Sequence, residues 1–387
     1  MNFIHVPDDT YKLINALKNK YPSQRPLLDE IEGNTTQHLW HQLTENLSVF
    51  YSLPETQQGT DLIELYNGLV MFIEHALNPM KLLLLVQKML PNYKGRMTDA
   101  LTFIKNLEAK IKFKGDQNLF ILIIKGFCYF ELGRKYDLED LLKEVSSQFE
   151  SRPEIDSFVY ANFYKLATYF YEQQEKYDEF YTSAFQYLAY EKQITDEEKI
   201  NLCFKMCIAS LIGEKMFNFA ELIEKSFFKL MLGSHYEWIY HLILSFNSAK
   251  VDQFLNIANT YATQINDNPV LRTKSEFLQV KIRIAALLDL IFQKNKNERT
   301  VLYKEISERC LIQNDKIEYI VMKALSLGLI RGHIDQVEQK VIVNWIQPKY
   351  LDKEKLTLLK GRFDNWITKA GNVLTQFEDL GGPLIAS

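Results

Sequence analysis

The sequence predicts a mainly α-helical protein, in which an N-terminal α-solenoid of helix pairs precedes a winged-helix module and a long C-terminal helix. Three observations predict this fold class. Glycine and proline are scarce, at 15 and 10 residues, whereas phenylalanine and tyrosine number 25 and 21, which is typical of long helices with short connections. Apolar residues recur at helical spacing. Strand-like alternation is nearly absent before residue 328.

Helix start signals recur along the first 200 residues. Asp8-Asp9 and Thr35-Thr36 each precede an apolar helical pattern. Asn78-Pro79 opens another helix, because proline is tolerated in the first turn. Asp116 opens a very apolar segment, and Thr195-Asp196-Glu197-Glu198 has the spacing of a capping box. These signals predict a succession of helices joined by short connections.

A weak internal repeat organises residues 1–270. Lys135-Tyr136-Asp137 recurs 41 residues later as Lys176-Tyr177-Asp178 and 40 residues after that as Met216-Phe217-Asn218, with Lys250-Val251-Asp252 as a shortened fourth copy. We interpret each triplet as an aromatic staple and an N-cap between two helices. Two helices per period of this size predict a tetratricopeptide-like solenoid. The alternative is a coincidence within a helical bundle.

Residues 271–349 have the order of a winged helix, three helices followed by a hairpin. The predicted elements are helices over Ser275–Gln293, Thr300–Cys310 (Leu302 and Ile306 inward) and Asp315–Leu327, strands over Leu329–Asp335 and Lys340–Gln347, and a wing over Asp335–Gln339.

The second predicted strand is apolar on both faces. Val341, Val343 and Trp345 alternate with Ile342, Asn344 and Ile346. A strand that is apolar on both faces is unfavourable at a sheet edge unless another element covers it. We therefore expect this strand to contact a neighbouring protein.

The last helix, predicted over residues 350–378, has apolar residues at alternating steps of three and four, ahead of a tail at 379–387. The members of this heptad seam are Leu356, Leu359, Phe363, Trp366, Ala370, Val373 and Phe377. Because the seam follows a completed domain, we expect it to pack on partner helices. The alternative is packing against the protein's own solenoid.

Motifs that carry chemistry are absent from the sequence. There is no glycine-rich phosphate loop, no GxSxG, no HExxH and no zinc-finger spacing, and the seven histidines are scattered. We therefore predict a protein that is not an enzyme and holds no cofactor or metal.

Charge argues against a nucleic-acid partner. The net charge is −4 and the pI about 6.1. On the third predicted helix Asp315, Lys316, Glu318 and Lys323 roughly cancel, and the wing has no arginine. A helix that reads DNA needs an excess of cations, so binding of nucleic acid by the winged helix is the less favoured alternative.

Cysteine usage and hydropathy predict an intracellular protein without membrane contact. Cys128, Cys203, Cys207 and Cys310 form no CxxC pair, which fits buried thiols in a reducing compartment. The apolar runs are too short to span a bilayer, and the first residues lack the pattern of a signal peptide.

Several stretches resemble the PCI family, whose members are scaffold subunits of the proteasome lid, the signalosome and a translation initiation factor. The similarity is carried by Leu39–Thr44, Glu74–Pro79, Ile320–Asp335, Asn344–Pro348 and Leu359–Trp366, and is densest over residues 275–366. The resemblance is to a subunit of the proteasome regulatory lid.

This resemblance implies a PCI domain over about 175–349 and a non-catalytic scaffold in a hetero-oligomer of the cytoplasm and nucleus. It implies contacts with other PCI lid subunits through the winged helix and the C-terminal helix, near the ubiquitin-receptor and deubiquitinase subunits. Other PCI assemblies, the signalosome or a translation-initiation complex, are the alternative.

Overall fold

The computed structural model describes residues 7–57, 59–152, 154–191, 194–294, 299–348 and 353–385. The chain divides into two units, Met1–Gln174 with Ser183–Lys192, and Glu175–Thr182 with Gln193–Ser387. The predicted fold class is confirmed, because helices are the main elements of the described chain and its one three-stranded sheet lies after residue 299.

Within the described chain, ten α-helices precede residue 175. They are α1 (Asp8–Lys20), α2 (Arg25–Thr36), α3 (Trp40–Phe50), α4 (Asp61–Leu65), α5 (Met71–Ile73), α6 (Pro79–Met89), α7 (Met97–Lys110), α8 (Asp116–Glu131), α9 (Lys135–Ser151) and α10 (Ser157–Gln173).

The remaining elements complete the repeats and form the winged helix. The helices are α11 (Tyr177–Tyr190), α12 (Asp196–Ile212), α13 (Ala220–Glu224), α14 (Ser226–Lys229), α15 (Glu237–Ser248), α16 (Val251–Thr260), α17 (Ala262–Asp267), α18 (Pro269–Thr273), α19 (Ser275–Gln293), α20 (Tyr303–Cys310), α21 (Ile317–Ser326) and α22 (Lys353–Ile385). The strands are β1 (Thr300–Leu302), β2 (Ile330–Asp335) and β3 (Lys340–Ile346).

Local capping explains several helix boundaries. The side chain of Asn78 accepts a hydrogen bond from the Met80 amide at 2.9 Å, which starts α6 as predicted. The predicted capping box at Thr195 is present at the start of α12, where Glu198 completes it. Thr35 and Thr36 instead lie in the last turn of α2, where their hydroxyls donate back to carbonyls of the preceding turn.

The repeated triplets mark the second helix of each pair, but not by the predicted mechanism. They begin α9, α11 and α16, and Met216-Phe217-Asn218 precedes α13. Asp137, Asp178 and Asp252 lie inside the first helical turn, where a carboxylate stabilises the helix dipole instead of capping it. Tyr136 is 86% exposed, so the predicted aromatic staple is wrong at this copy.

Close helix contact in the first unit depends on a glycine. A Cβ atom at Gly126 of α8 would lie 2.4 Å from the side chain of Leu166 on α10. An alanine at this position would therefore require the Leu166 side chain to move. Phe120 and Phe170, on the same two helices, are buried in this core.

The winged helix lies in the second unit and consists of α19, β1, α20, α21, β2 and β3. The sheet order is β1-β3-β2, with both pairs antiparallel. The prediction that Thr300–Cys310 is helical throughout is wrong for its first three residues, which pair with β3. Consequently Val301 is buried and Leu302, predicted to face inward, is exposed.

Lys281 anchors the first helix of the winged helix to the last turn of α12. Its side chain is 1% exposed, and Nζ lies 2.6 Å from the Ser210 carbonyl oxygen and 2.5 Å from that of Gly213. Burial lowers the pKa of Lys281 to about 7, an effect that the nearby Asp178 carboxylate opposes. The ring of Phe217 lies 5.2 Å from Nζ and adds a cation–π contact.

The C-terminal helix is longer than predicted. It continues to Ile385, through the Gly381-Gly382-Pro383 segment that we assigned to a tail at 379–387. Two glycines and a proline disfavour a helix, which is why the sequence predicts an end near residue 378. A proline near the last turn nevertheless has a helical φ and removes only one backbone donor.

Candidate protein-interaction surfaces

The seam of α22 is a solvent-exposed apolar stripe. Its described members are exposed, apart from the half-buried Leu359, and Trp366 has 69% of its surface in solvent. Ile367 and Leu374, which the heptad pattern missed, are exposed beside it and widen the stripe. An apolar stripe of this width is typical of a helix that faces the core of a bundle, not a two-stranded coiled coil.

The hairpin residues predicted to contact a partner separate into two groups. Val341 and Val343, 1% and 4% exposed, lie in the core, so the prediction of an accessible interface is wrong for them. The reason is that β3 is the central strand of the sheet and not an edge. Trp345 is exposed, with the Arg331 guanidinium carbon 5.0 Å from its ring centroid.

A register shift explains why Trp345 leaves the face that Val341 and Val343 occupy. Trp345 pairs with Arg331, but Val343 pairs with Gly332, so one residue of β3, Asn344, is extra. Such a bulge reverses the alternation of side chains beyond it. Gly332 allows the close approach, because a Cβ atom there would lie 2.1 Å from the carbonyl oxygen of Ile342.

The third helix of the winged helix, α21, presents a nearly neutral face. Tyr319, Met322 and Ser326, at i, i+3 and i+7, are exposed on one side. Glu318 is half-buried and accepts a hydrogen bond from the Tyr303 hydroxyl at 3.1 Å, and Lys323 is half-buried as well. The predicted charges remain balanced, and the exposed apolar side chains beside them suit a protein surface.

The described residues offer no apparent chemical centre. Among them, no three His, Cys, Asp or Glu side chains converge as metal ligands. The four cysteines are free and buried as predicted, and burial raises the pKa of Cys128 and of Cys310 to about 12, which keeps both as thiols. In the same part of the chain no helix combines the length and hydrophobicity that crossing a membrane requires.

A helical-repeat array, a winged helix and an exposed terminal helix together define a PCI-type scaffold protein. A family profile described as PSD13 N-terminal repeats matches residues 27–243, more than half of the chain, and a PCI domain profile matches residues 258–345. The chain belongs to the PSD13 family. The expected PCI resemblance is thereby confirmed, whereas the predicted domain boundaries stay predictions.

Two curated relatives are similar to this chain over most of their length, and a third over a shorter part. The 26S proteasome non-ATPase regulatory subunit 13 homolog A of Arabidopsis thaliana is 28% identical over 97% of this chain and 98% of that protein. The 26S proteasome regulatory subunit RPN9 of Saccharomyces cerevisiae is 27% identical over 89% and 90%. A eukaryotic translation initiation factor 3 subunit M from Nematostella vectensis is 23% identical, over 33% of this chain and 32% of its own.

Proposed function

We propose that this chain is a non-catalytic scaffold subunit of the regulatory-particle lid of the 26S proteasome. The observation that carries the proposal is similarity over nearly the whole chain to proteins named as proteasome regulatory subunit 13. The chain then supports ATP-dependent degradation of ubiquitinated proteins by holding other subunits in place, in the cytoplasm and nucleus.

The seam of α22 supports assembly with other helices. Phe363 and Trp366 are large, exposed and one helical turn apart. A contiguous apolar surface of this kind is costly in water and marks a site of protein contact. We therefore assign Leu356, Leu359, Phe363, Trp366, Ala370, Val373 and Phe377 to a bundle with helices of sibling PCI subunits.

The winged helix supports a second, lateral contact. Among the described residues its sheet ends at β1 and β2, so the outer edge of β2 is one that a neighbouring strand can extend. Trp345 and Arg331 lie beside this edge, and Tyr319 with Met322 adds an apolar patch on α21. We assign these surfaces to neighbouring PCI modules, and by analogy with lid subunits we place the repeats near the ubiquitin-receptor and deubiquitinase subunits.

Affinity purification of the tagged chain from its own cells, read by quantitative mass spectrometry, tests this function. We expect lid and proteasomal ATPase subunits in near-equal amounts. Recovery of signalosome or initiation-factor subunits would support the alternative PCI assembly, which the match over only a third of the chain disfavours. Recovery of the chain alone would contradict both.

Nucleic-acid binding by the winged helix has a separate test. Non-specific DNA binding depends on cations that neutralise phosphates, and the exposed face of α21 carries Tyr319 and Met322 instead. We expect no gel shift of duplex DNA at about 150 mM salt with protein at ~1 μM. This concentration is close to the lowest dissociation constants, about 1 μM, that are typical of non-specific DNA binding. A shift that weakens steeply with added salt would contradict this expectation.

A further inference from the structure

An open groove of about 640 Å³ lies on the first unit, lined by residues of α6, α7, α8 and α10. One face of α10 contributes Phe158, Asn162, Lys165 and Tyr169, which are spaced at i, i+4, i+7 and i+11. The volume falls within the range of about 300–1,000 Å³ that is typical of ligand pockets. Helical-repeat arrays commonly use such concave surfaces for binding.

The floor of this α10 groove is apolar and held in place. Leu90, Met97 and Ala161 are buried beneath it, and the half-buried rings of Phe127 and Phe158 line its walls. An edge-to-face contact with Phe120, at 5.3 Å between ring centroids, fixes the Phe158 ring. The groove therefore offers a large apolar side chain a preformed surface.

A partly buried amide pair joins the two sides of the groove. Asn162 is 6% exposed, and its Oδ1 accepts a hydrogen bond from Gln87 Nε2 on α6. Its Nδ2 donates to the Phe158 carbonyl oxygen at 2.9 Å. The bond between Gln87 and Asn162 connects α6 to α10. Binding of a ligand therefore does not carry the entropic cost of ordering the walls of the groove.

The charges in the groove favour an anionic ligand. Lys88, Lys94 and Lys165 line it, and within the described chain none of the three forms an ion pair with a carboxylate. Lys88 Nζ instead donates to the hydroxyl of Ser52 at 2.6 Å, which leaves its charge uncompensated. Glu131 and Glu191 also line the groove, so the lysines exceed the carboxylates by one.

We propose that the α10 groove binds an extended peptide segment of another protein, in which a carboxylate side chain neighbours an aromatic or large aliphatic one. The apolar residue packs between Phe127 and Phe158, and the carboxylate meets Lys94 and Lys165. This activity goes beyond the proposed scaffold role, because it uses neither the seam of α22 nor the winged helix.

Selection of a phage-displayed library of random dodecapeptides on the full purified chain tests the proposal. We expect enrichment of sequences with Asp or Glu beside Phe, Trp or Leu. Fluorescence anisotropy with the enriched peptide then compares the wild type with the Lys94→Glu/Lys165→Glu variant. Reversing two lysines that meet the carboxylate is expected to weaken binding at least about tenfold.

A matched variant, Lys112→Glu/Lys114→Glu, controls for net charge. Both lysines are exposed and lie outside the groove, so affinity is expected to stay within about twofold of the wild type at fixed ionic strength. The proposal is overturned if no sequence is enriched, if the consensus is basic or uncharged, or if the two variants bind equally. None of these results bears on the recovery of lid subunits in the affinity purification. The peptide-binding proposal can therefore be contradicted while the scaffold proposal stands, and the reverse.

Discussion

The double substitution Phe363→Ala/Trp366→Ala is expected to release this chain from its complex without unfolding it. The two side chains are 57% and 69% exposed, so their loss removes little packing within the described chain. Aromatic anchors at the centre of an interface typically contribute at least about 2 kcal/mol each. Their joint loss corresponds to roughly 10³-fold in affinity. Quantitative mass spectrometry of lid subunits that co-purify with the variant measures this effect.

The double substitution Asn365→Ala/Asn372→Ala is the control for this experiment. Both asparagines are exposed on the side of α22 away from the seam. We expect this variant to assemble like the wild type, and both variants to keep the wild-type thermal transition. Normal assembly of the Phe363 and Trp366 variant would exclude the seam as an interface, whereas a large loss of thermal stability would show that the seam packs internally.

Replacement of Lys281 by methionine is expected to change how the stability of the protein depends on pH. Burial lowers the pKa of Lys281 from 10.5 to about 7 in the folded protein, whereas the unfolded chain keeps the ordinary value. Between these values the unfolded state binds a proton that the folded state lacks. The free energy of unfolding therefore rises with pH, by up to about 1.4 kcal/mol per pH unit from this group.

Urea denaturation at pH 7, 8 and 9 measures this contribution as the difference between wild type and Lys281→Met. The variant has no titrating group at this position, so the wild type gains stability relative to it as the pH rises. At pH 7 the variant loses the donor to the carbonyls of Ser210 and Gly213, which costs about 1–3 kcal/mol, but it also loses the cost of burying the ammonium, so the trend with pH is the diagnostic result.

Lys274→Met, the same chemical change at an exposed position at the start of α19, is expected to show no such trend. A constant difference between the wild type and the Lys281 variant across the three pH values would contradict the assignment. It would mean that the two carbonyls keep the Lys281 ammonium protonated throughout this range.

Prediction from the sequence succeeded where the signal is local. The capping box at Thr195 and the Asn78 cap depend on residues three and two positions apart, so they follow from short-range hydrogen bonding. The exposed seam of α22 follows from helical periodicity in the same way. These features are encoded in consecutive residues, and distant contacts do not change them.

In the winged helix, prediction failed because strand pairing and long-range burial intervene. Thr300–Leu302 resembles the start of a helix until β3 pairs with it. The strand containing Val341 is apolar on both faces because it is central, and the bulge at Asn344 turns Trp345 outward. The candidate surface on the winged helix therefore excludes Val341 and Val343, which are buried, and includes Tyr319 and Met322, which the sequence analysis did not select.

Propensity and periodicity along the chain are enough to predict the helical class, the order of repeats, winged helix and terminal helix, and the apolar stripe on α22. The central position of β3, the burial of Lys281 against the end of α12 and the α10 groove are visible only in the folded protein. Each of these depends on contacts between residues far apart in sequence, which no local pattern records.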